Sequence, residues 1–295
     1  MRALYFTIQQ HKGTSMSSDK HILLIDCPDE TGLVYKITGV LYRHSYNIVT
    51  NNEFVDREAK HFFMRTEFSG EQNPAVVLDE LRALLPASTN LRLANTSKRR
   101  IVVLATKEYH CLGDLLIRHA YGELNAEIQA VISNHDVLAS LAHKFDVPFH
   151  YVSHANLERP AHEAALAQLI EQYQPEYIVL AKYMRILSPA FVARYPNKII
   201  NIHHSFLPAF IGASPYRQAF ERGVKLIGAT AHFVTDDLDK GPIIAQDVIR
   251  IDHTYSANDL AQIGHDVEKI TLAKALKLVF EERIFLSGNR AIIFE

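Results

Sequence analysis

The sequence predicts an α/β protein of two domains, a split βαββαβ unit followed by an open, mostly parallel sheet. Two rhythms carry that prediction. Between His21 and Leu93, short β-like runs and two amphipathic stretches follow the order β-α-β-β-α-β. From Ile101 onward, short apolar runs alternate with helical patterns, as the strands and crossovers of a parallel sheet do.

The elements follow in order. Residues 1–18 read as a tail, and Met16 is as good a start as Met1. The run His21–Asp26 is the first strand. CPDETG breaks it, and Leu33–Tyr42 has apolar residues at helical spacing, with Asp29 or Thr31 placed to cap the start. Asn47–Glu53 and His61–Phe68 are strands joined by a polar turn. Pro74–Leu85 is the second helix and Leu91–Leu93 the closing strand. This is the ferredoxin-like arrangement, assigned to residues 19–96. Asn95–Arg100 reads as a linker, with Lys98, Arg99 and Arg100 as its charge cluster.

The second domain, residues 97–295, has candidate strands at 101–106, 128–133, 149–152, 177–181 and 199–202. Helical patterns lie between them at 112–121, 137–144, 160–173 and 188–194. Ile227–Val234 and Ile243–Ile251 are separated by a turn containing Gly241-Pro242 and read as an antiparallel pair. A long helix follows over 258–284, and the residues after 285 read as a tail. The whole second domain is Rossmann-like in pattern.

Composition narrows the function classes. The chain has 295 residues, 48% hydrophobic and 22% charged, with a net charge of −2. Those proportions are ordinary for a folded globular protein, and the balanced charge argues against nucleic acid as partner. No run approaches the ~20 apolar residues of a membrane span, and the first residues lack a signal-peptide pattern, so the expected setting is cytoplasmic. Cys27 and Cys111 are too far apart in sequence to suggest a disulfide framework or zinc spacing. Sixteen histidines include the pair His203-His204, yet no spacing suggests three metal ligands, so no metal is expected. His11, His44, His61, His143 and His162 read as surface or satisfied polar residues.

The chemistry concentrates in two runs, N-I-H-H-S-F-L-P (Asn201–Pro208) and H-F-V-T-D-D-L-D-K-G-P (His232–Pro242). They place Asn201 and His203 at the end of one apolar strand and Asp239 in the loop after another. An amide and an imidazolium can stabilise a developing oxyanion, and a carboxylate can orient or deprotonate a nucleophile. Ligands of open α/β sheets sit outside the carboxyl ends of strands, which places a site there. His232 lies inside an apolar strand and reads as either a core histidine or a supporting group. Asp237 reads as a solvated turn residue.

Those two runs resemble the folate-dependent formyltransferase family over roughly residues 100–285. The front domain resembles an ACT domain, an amino-acid-sensing module, and that order of domains is similar to the hydrolytic branch of the family. The resemblance implies Asn201, His203 and Asp239 as the catalytic set. It implies Met184, Arg185 and Leu187 of M-R-I-L, together with Val234 and Asp236, as pterin-binding positions. It also implies a cis peptide before Pro208. The implied reaction is hydrolysis of 10-formyltetrahydrofolate to formate and tetrahydrofolate, feeding formate to purine synthesis and balancing one-carbon units. Folate is then the substrate and no cofactor is needed. Methionine or glycine is the implied effector of the ACT domain, and a homo-oligomer the implied assembly.

Members that formylate a ribonucleotide open the first strand–helix turn with glycines that bind a phosphate. Here that turn, Thr106–Gly113, has Glu108 near its start and one late glycine. His204 also stands where those members commonly have proline. Two alternatives remain at this stage: formyl transfer to an amine acceptor, and a noncatalytic sensor of amino acid and folate.

Overall fold

The computed structural model describes residues 20–94, 96–209 and 215–295, so the expected tail at 1–18 and His11 lie outside the described residues. Contacts divide the chain into two compact units, Met1–Asn95 and Thr96–Glu295.

The first unit contains β1 (Lys20–Pro28), α1 (Leu33–Arg43), β2 (Asn47–Asp56), β3 (His61–Ser69), α2 (Ala75–Leu84) and β4 (Asn90–Leu93). Its four strands pair antiparallel in the order β2-β3-β1-β4. Alternation in β1 sends Leu23, Ile25 and Cys27 to one face. There they form a core with Leu33, Ile37, Val40 and Leu41 of α1 and Val77 and Leu81 of α2. The expected cap by Asp29 or Thr31 is absent: Gly32 is the N-cap, in the left-handed region at φ 88°, with no side-chain cap bond. A residue without a Cβ takes that conformation at no steric cost, so the turn itself positions the helix start.

The second unit contains β5 (Arg99–Ala105), α3 (His110–Ala120), β6 (Ala126–Ser133), α4 (Ala139–His143), β7 (Phe149–Tyr151), α5 (Arg159–Tyr173), β8 (Tyr177–Ala181), α6 (Pro189–Val192) and β9 (Ile199–His203). It continues with α7 (Pro215–Arg222), β10 (Leu226–Phe233), β11 (Ile243–Arg250), α8 (Ala257–Phe280), β12 (Ile284–Ser287) and β13 (Arg290–Ile293). The main sheet has seven strands in the order β11-β10-β9-β8-β5-β6-β7. From β9 to β7 all neighbours are parallel, while β10 pairs antiparallel with both β9 and β11. Alternate residues of β5 serve opposite cores. Ile101, Val103 and Ala105 pack with Leu112, Leu116, Leu272 and Leu276 of α3 and α8. Val102 and Leu104 pack with Leu166 and Ile170 of α5. A parallel strand covered on both faces reads as a continuous apolar run, as IVVLA does.

Two further expectations are corrected. Arg99 is not a linker charge; it belongs to β5, is buried, and forms ion pairs with Glu176 and Glu282. The residues after 285 are not a tail but the hairpin β12–β13, with Ser287 paired to Arg290 at its tip. The segment between β9 and β10 holds α7, whose mean hydropathy is low and which shows no clear apolar run in the sequence. Among the described residues, no helix is long and apolar enough to cross a membrane.

Candidate active site

Period-two alternation puts Asn201 and His203 on the same face of β9. The antiparallel register then sets His232 opposite Asn201 and Thr230 opposite His203. Asn201 Nδ2 lies 3.2 Å from His232 Nε2, and His232 Nδ1 lies 2.8 Å from the carbonyl oxygen of Phe233. A carbonyl only accepts, so Nδ1 carries the proton and Nε2 accepts one hydrogen of the Asn201 amide. The second amide hydrogen is left for another acceptor. His232 is therefore both a buried histidine and a support for Asn201.

Asp239 reaches the same face from the loop between β10 and β11. Its Oδ1 is 3.3 Å from His203 Nδ1 and 3.7 Å from His232 Nε2. The strand-end rule does not explain this position. Because β10 runs antiparallel, its carboxyl end pairs Phe233 with Ile200, at the opposite end of β9 from His203. The loop has to fold back, and three local features let it. Asp239 is itself left-handed at φ 56°. At Gly241 a Cβ would stand 1.8 Å from the Phe233 carbonyl oxygen, so only glycine fits. Asn289, at the tip of the β12–β13 hairpin, donates from Nδ2 to the Lys240 carbonyl at 2.7 Å. A cavity of about 550 Å³ opens beside Asp239, with Leu207, Pro208 and Asn289 among its walls.

Burial pushes the Asp239 carboxyl upward, but the hydrogen bond from His203 and the His232 ring beside it outweigh that and hold the group well below the usual carboxylate range. His203 is buried, and its Nε2 has no hydrogen-bond partner among the described residues. The chain after β9 is anchored through Thr230, whose hydroxyl donates to the Ser205 carbonyl at 2.9 Å and accepts from the Leu207 amide at 3.0 Å. The Leu207–Pro208 peptide is cis, as the resemblance implied.

The positions expected to bind the pterin straddle β9. Met184, Arg185 and Leu187 follow β8, where the Met184 amide donates to Thr106 Oγ1 at 2.9 Å. Val234 follows β10, and Leu187 and Val234 pack on the same core cluster. Asp236 is exposed in the Val234–Asp239 loop, and Met184 is also exposed.

Other groups near the site were not singled out from the sequence. Lys182, Glu268 and His110 form a buried cluster that meets Tyr216, with the half-exposed Glu108 at its edge, and His204 stands between Tyr216 and His203. The available signal was Glu268, a carboxylate set among Gly264, Val267, Thr271 and Leu272 on the inner face of α8. Glu108, His110 and His265 come within metal-ligand reach of one another, as do His110, Cys111 and Glu268. Lys182 Nζ already stands 3.2 Å from Glu268 and 3.9 Å from Glu108, and supplies the positive charge there. Both cysteines are buried and unpaired, and burial pushes the Cys27 thiol up to about 11 and the Cys111 thiol well above its ordinary value. Neither is a thiolate nucleophile near neutral pH.

This fold and site define an ACT domain joined to a formyl transferase domain. The Formyl transferase family profile matches residues 99–276 and the ACT domain profile residues 21–86. A formyltetrahydrofolate deformylase of Haemophilus influenzae is 58% identical over 93% of this chain and 99% of its own. The solved structure of a formyltetrahydrofolate deformylase from Pseudomonas syringae pv. tomato superposes with a TM-score of 0.89, at 37% identity, covering 97% of this chain and 98% of that one. A glycinamide ribonucleotide transformylase of Symbiobacterium toebii gives a TM-score of 0.65 at 32% identity, over 70% of this chain and 98% of its own. The chain belongs to the formyltetrahydrofolate deformylase family.

Proposed function

We propose that the protein hydrolyses 10-formyltetrahydrofolate to formate and tetrahydrofolate, with Asn201, His203 and Asp239 as the catalytic set. The observation that carries this reading is their convergence: Asp239 lies 3.3 Å from His203, and Asn201 shares their strand face. Water, oriented by Asp239, attacks the formyl carbon. The oxyanion takes hydrogen bonds from the remaining Asn201 N–H and from His203. A preorganised donor of this kind is worth roughly 3 kcal/mol of barrier. A carboxyl held this low is a weak base, so Asp239 orients water and balances an imidazolium. As the carbon–nitrogen bond breaks, His203 gives its proton to the departing folate nitrogen, and the water proton, passed along the Asp239 carboxylate, replaces it on the imidazole.

Met184, Arg185, Leu187, Val234 and Asp236 line the two segments assigned to the pterin. Their placement on either side of β9 supports that assignment. No metal or other cofactor enters the scheme. Glu108 opposes a phosphate at the first strand–helix turn, which argues against a ribonucleotide acceptor. Formate made this way serves purine synthesis and one-carbon balance, and two unpaired thiols suit a reducing cytoplasm. The ACT unit is assigned an amino-acid effector, methionine or glycine, beside the turn that opens α1. The exposed Val49 and Phe54 on its edge strand β2 support a homo-oligomer. The deciding experiment incubates purified protein with 10-formyltetrahydrofolate and quantifies formate and tetrahydrofolate. Stoichiometric release of both is expected, and absence of turnover would reject the reading.

A further inference from the structure

The strand order reverses between β5 and β8, the place where open α/β sheets leave a crevice for a ligand. In this protein the crevice edge is occupied by charge. Lys182 follows β8 in a left-handed conformation, φ 60°, and is buried. Leu180 is paired with Asn201, so Lys182 stands level with His203 at the strand ends. Its Nζ is 3.2 Å from Glu268 Oε2. Glu268 is completely buried and also meets His110 Nε2 at 2.8 Å and the Tyr216 hydroxyl at 2.5 Å. The hydroxyl end of the Tyr216 ring fits against α8 because Gly264 makes room; a Cβ there would stand 2.1 Å from it. His204 completes the link: its ring centroid is 6.4 Å from that of Tyr216 and 5.0 Å from that of His203, to which it is nearly parallel.

None of these groups has a part in the hydrolytic steps above. A buried ion pair is no more stabilising than apolar packing of the same volume, because both charges lose their hydration. Stability alone therefore does not account for this one. We propose that Lys182, held by Glu268, sets acceptor specificity: its ammonium fills the side of the crevice from which an amine would attack, so that water alone reaches the formyl carbon. A small amine arrives largely as an ammonium ion and meets like charge as well as occupied space, whereas water is neutral and smaller. Repulsion of the wrong partner is a general device for specificity. The fold itself tolerates an amine, since the Symbiobacterium relative is named a glycinamide ribonucleotide transformylase. Lys182 is a specificity residue in this account and takes no part in proton transfer.

The inference rests on the hydrolytic reading, which formate release by the unaltered protein tests separately. The probe is glycinamide, added with 10-formyltetrahydrofolate, and the products are formate and N-formylglycinamide. In the altered reaction the amine nitrogen bonds to the formyl carbon, the bond to the folate nitrogen breaks, and the proton lost by the amine is returned to that nitrogen. The unaltered protein should yield formate alone. Lys182→Ala should raise the formylamide-to-formate ratio about tenfold or more, in proportion to glycinamide. Because that variant leaves Glu268 short of a partner, the double substitution Lys182→Ala with Glu268→Gln is measured beside it and should show the same change. Folded, formate-releasing variants that make no formylamide would overturn the proposal. Loss of the fold in both would make the network purely structural and overturn it equally.

Discussion

Replacing Asp239 by Asn keeps the shape of the side chain and removes its charge. The carboxylate is 3.3 Å from His203 Nδ1 and 14% exposed, so it is shielded from most solvent screening. Coulomb's law at an effective dielectric of ~20 gives an attraction of about 5 kcal/mol for an imidazolium at that distance. Asn retains a hydrogen-bond acceptor, which recovers about 1 kcal/mol. The remaining loss of about 4 kcal/mol corresponds to roughly a thousandfold in turnover. The assay follows formate release at saturating 10-formyltetrahydrofolate, with folate binding measured by titration. Binding should stay within a few-fold, because the pterin positions are untouched. A variant that keeps a tenth or more of its turnover would refute the charge-balancing role.

Further outcomes follow from the same geometry. Asn289→Ala removes the bond to Lys240 and frees the Asp239 loop, so kcat should fall about fivefold, a ~1 kcal/mol effect, with KM unchanged; an unchanged kcat would detach the hairpin from the site. Gly241→Ala forces a Cβ onto the Phe233 carbonyl and should abolish turnover while the far-ultraviolet circular dichroism persists. Arg99→Ala removes the buried guanidinium that pairs with Glu176 and Glu282 and should cost about 3 kcal/mol, read as a lower urea midpoint. His204 and Glu268 are two of the groups that contribute to acid stability. Burial lowers His204 from 6.5 to about 4, so the unfolded chain takes up its proton first and stability declines as pH falls through that interval. For Glu268, burial raises the carboxyl but His110 and Lys182 outweigh it, lowering it from 4.5 to about 2; its contribution is complete above 4.5 and is lost below it. Urea midpoints measured against pH should therefore decline less steeply between 6.5 and 4 in His204→Gln than in the unaltered protein, and a parallel decline in that variant would contradict the assignment.

Periodicity made most of the architecture legible. Apolar runs such as Ile101–Ala105 and the spacing of Leu33, Ile37, Val40 and Leu41 determine strands and helices locally, and the two larger sheets follow from their order, while the β12–β13 hairpin does not. The types and shared face of Asn201 and His203 were equally readable, because alternation along a strand is a local property. Tertiary structure decided the rest. The antiparallel pairing of β10 sets His232 against Asn201, and a fold-back through Gly241 brings Asp239 to His203. Arg99 looked like a linker charge until Glu176 and Glu282 closed around it, and Lys182 was an ordinary lysine until α8 delivered Glu268. Which charges are buried, and beside what, depends on contacts between residues far apart in the chain. Local patterning carries no record of those contacts.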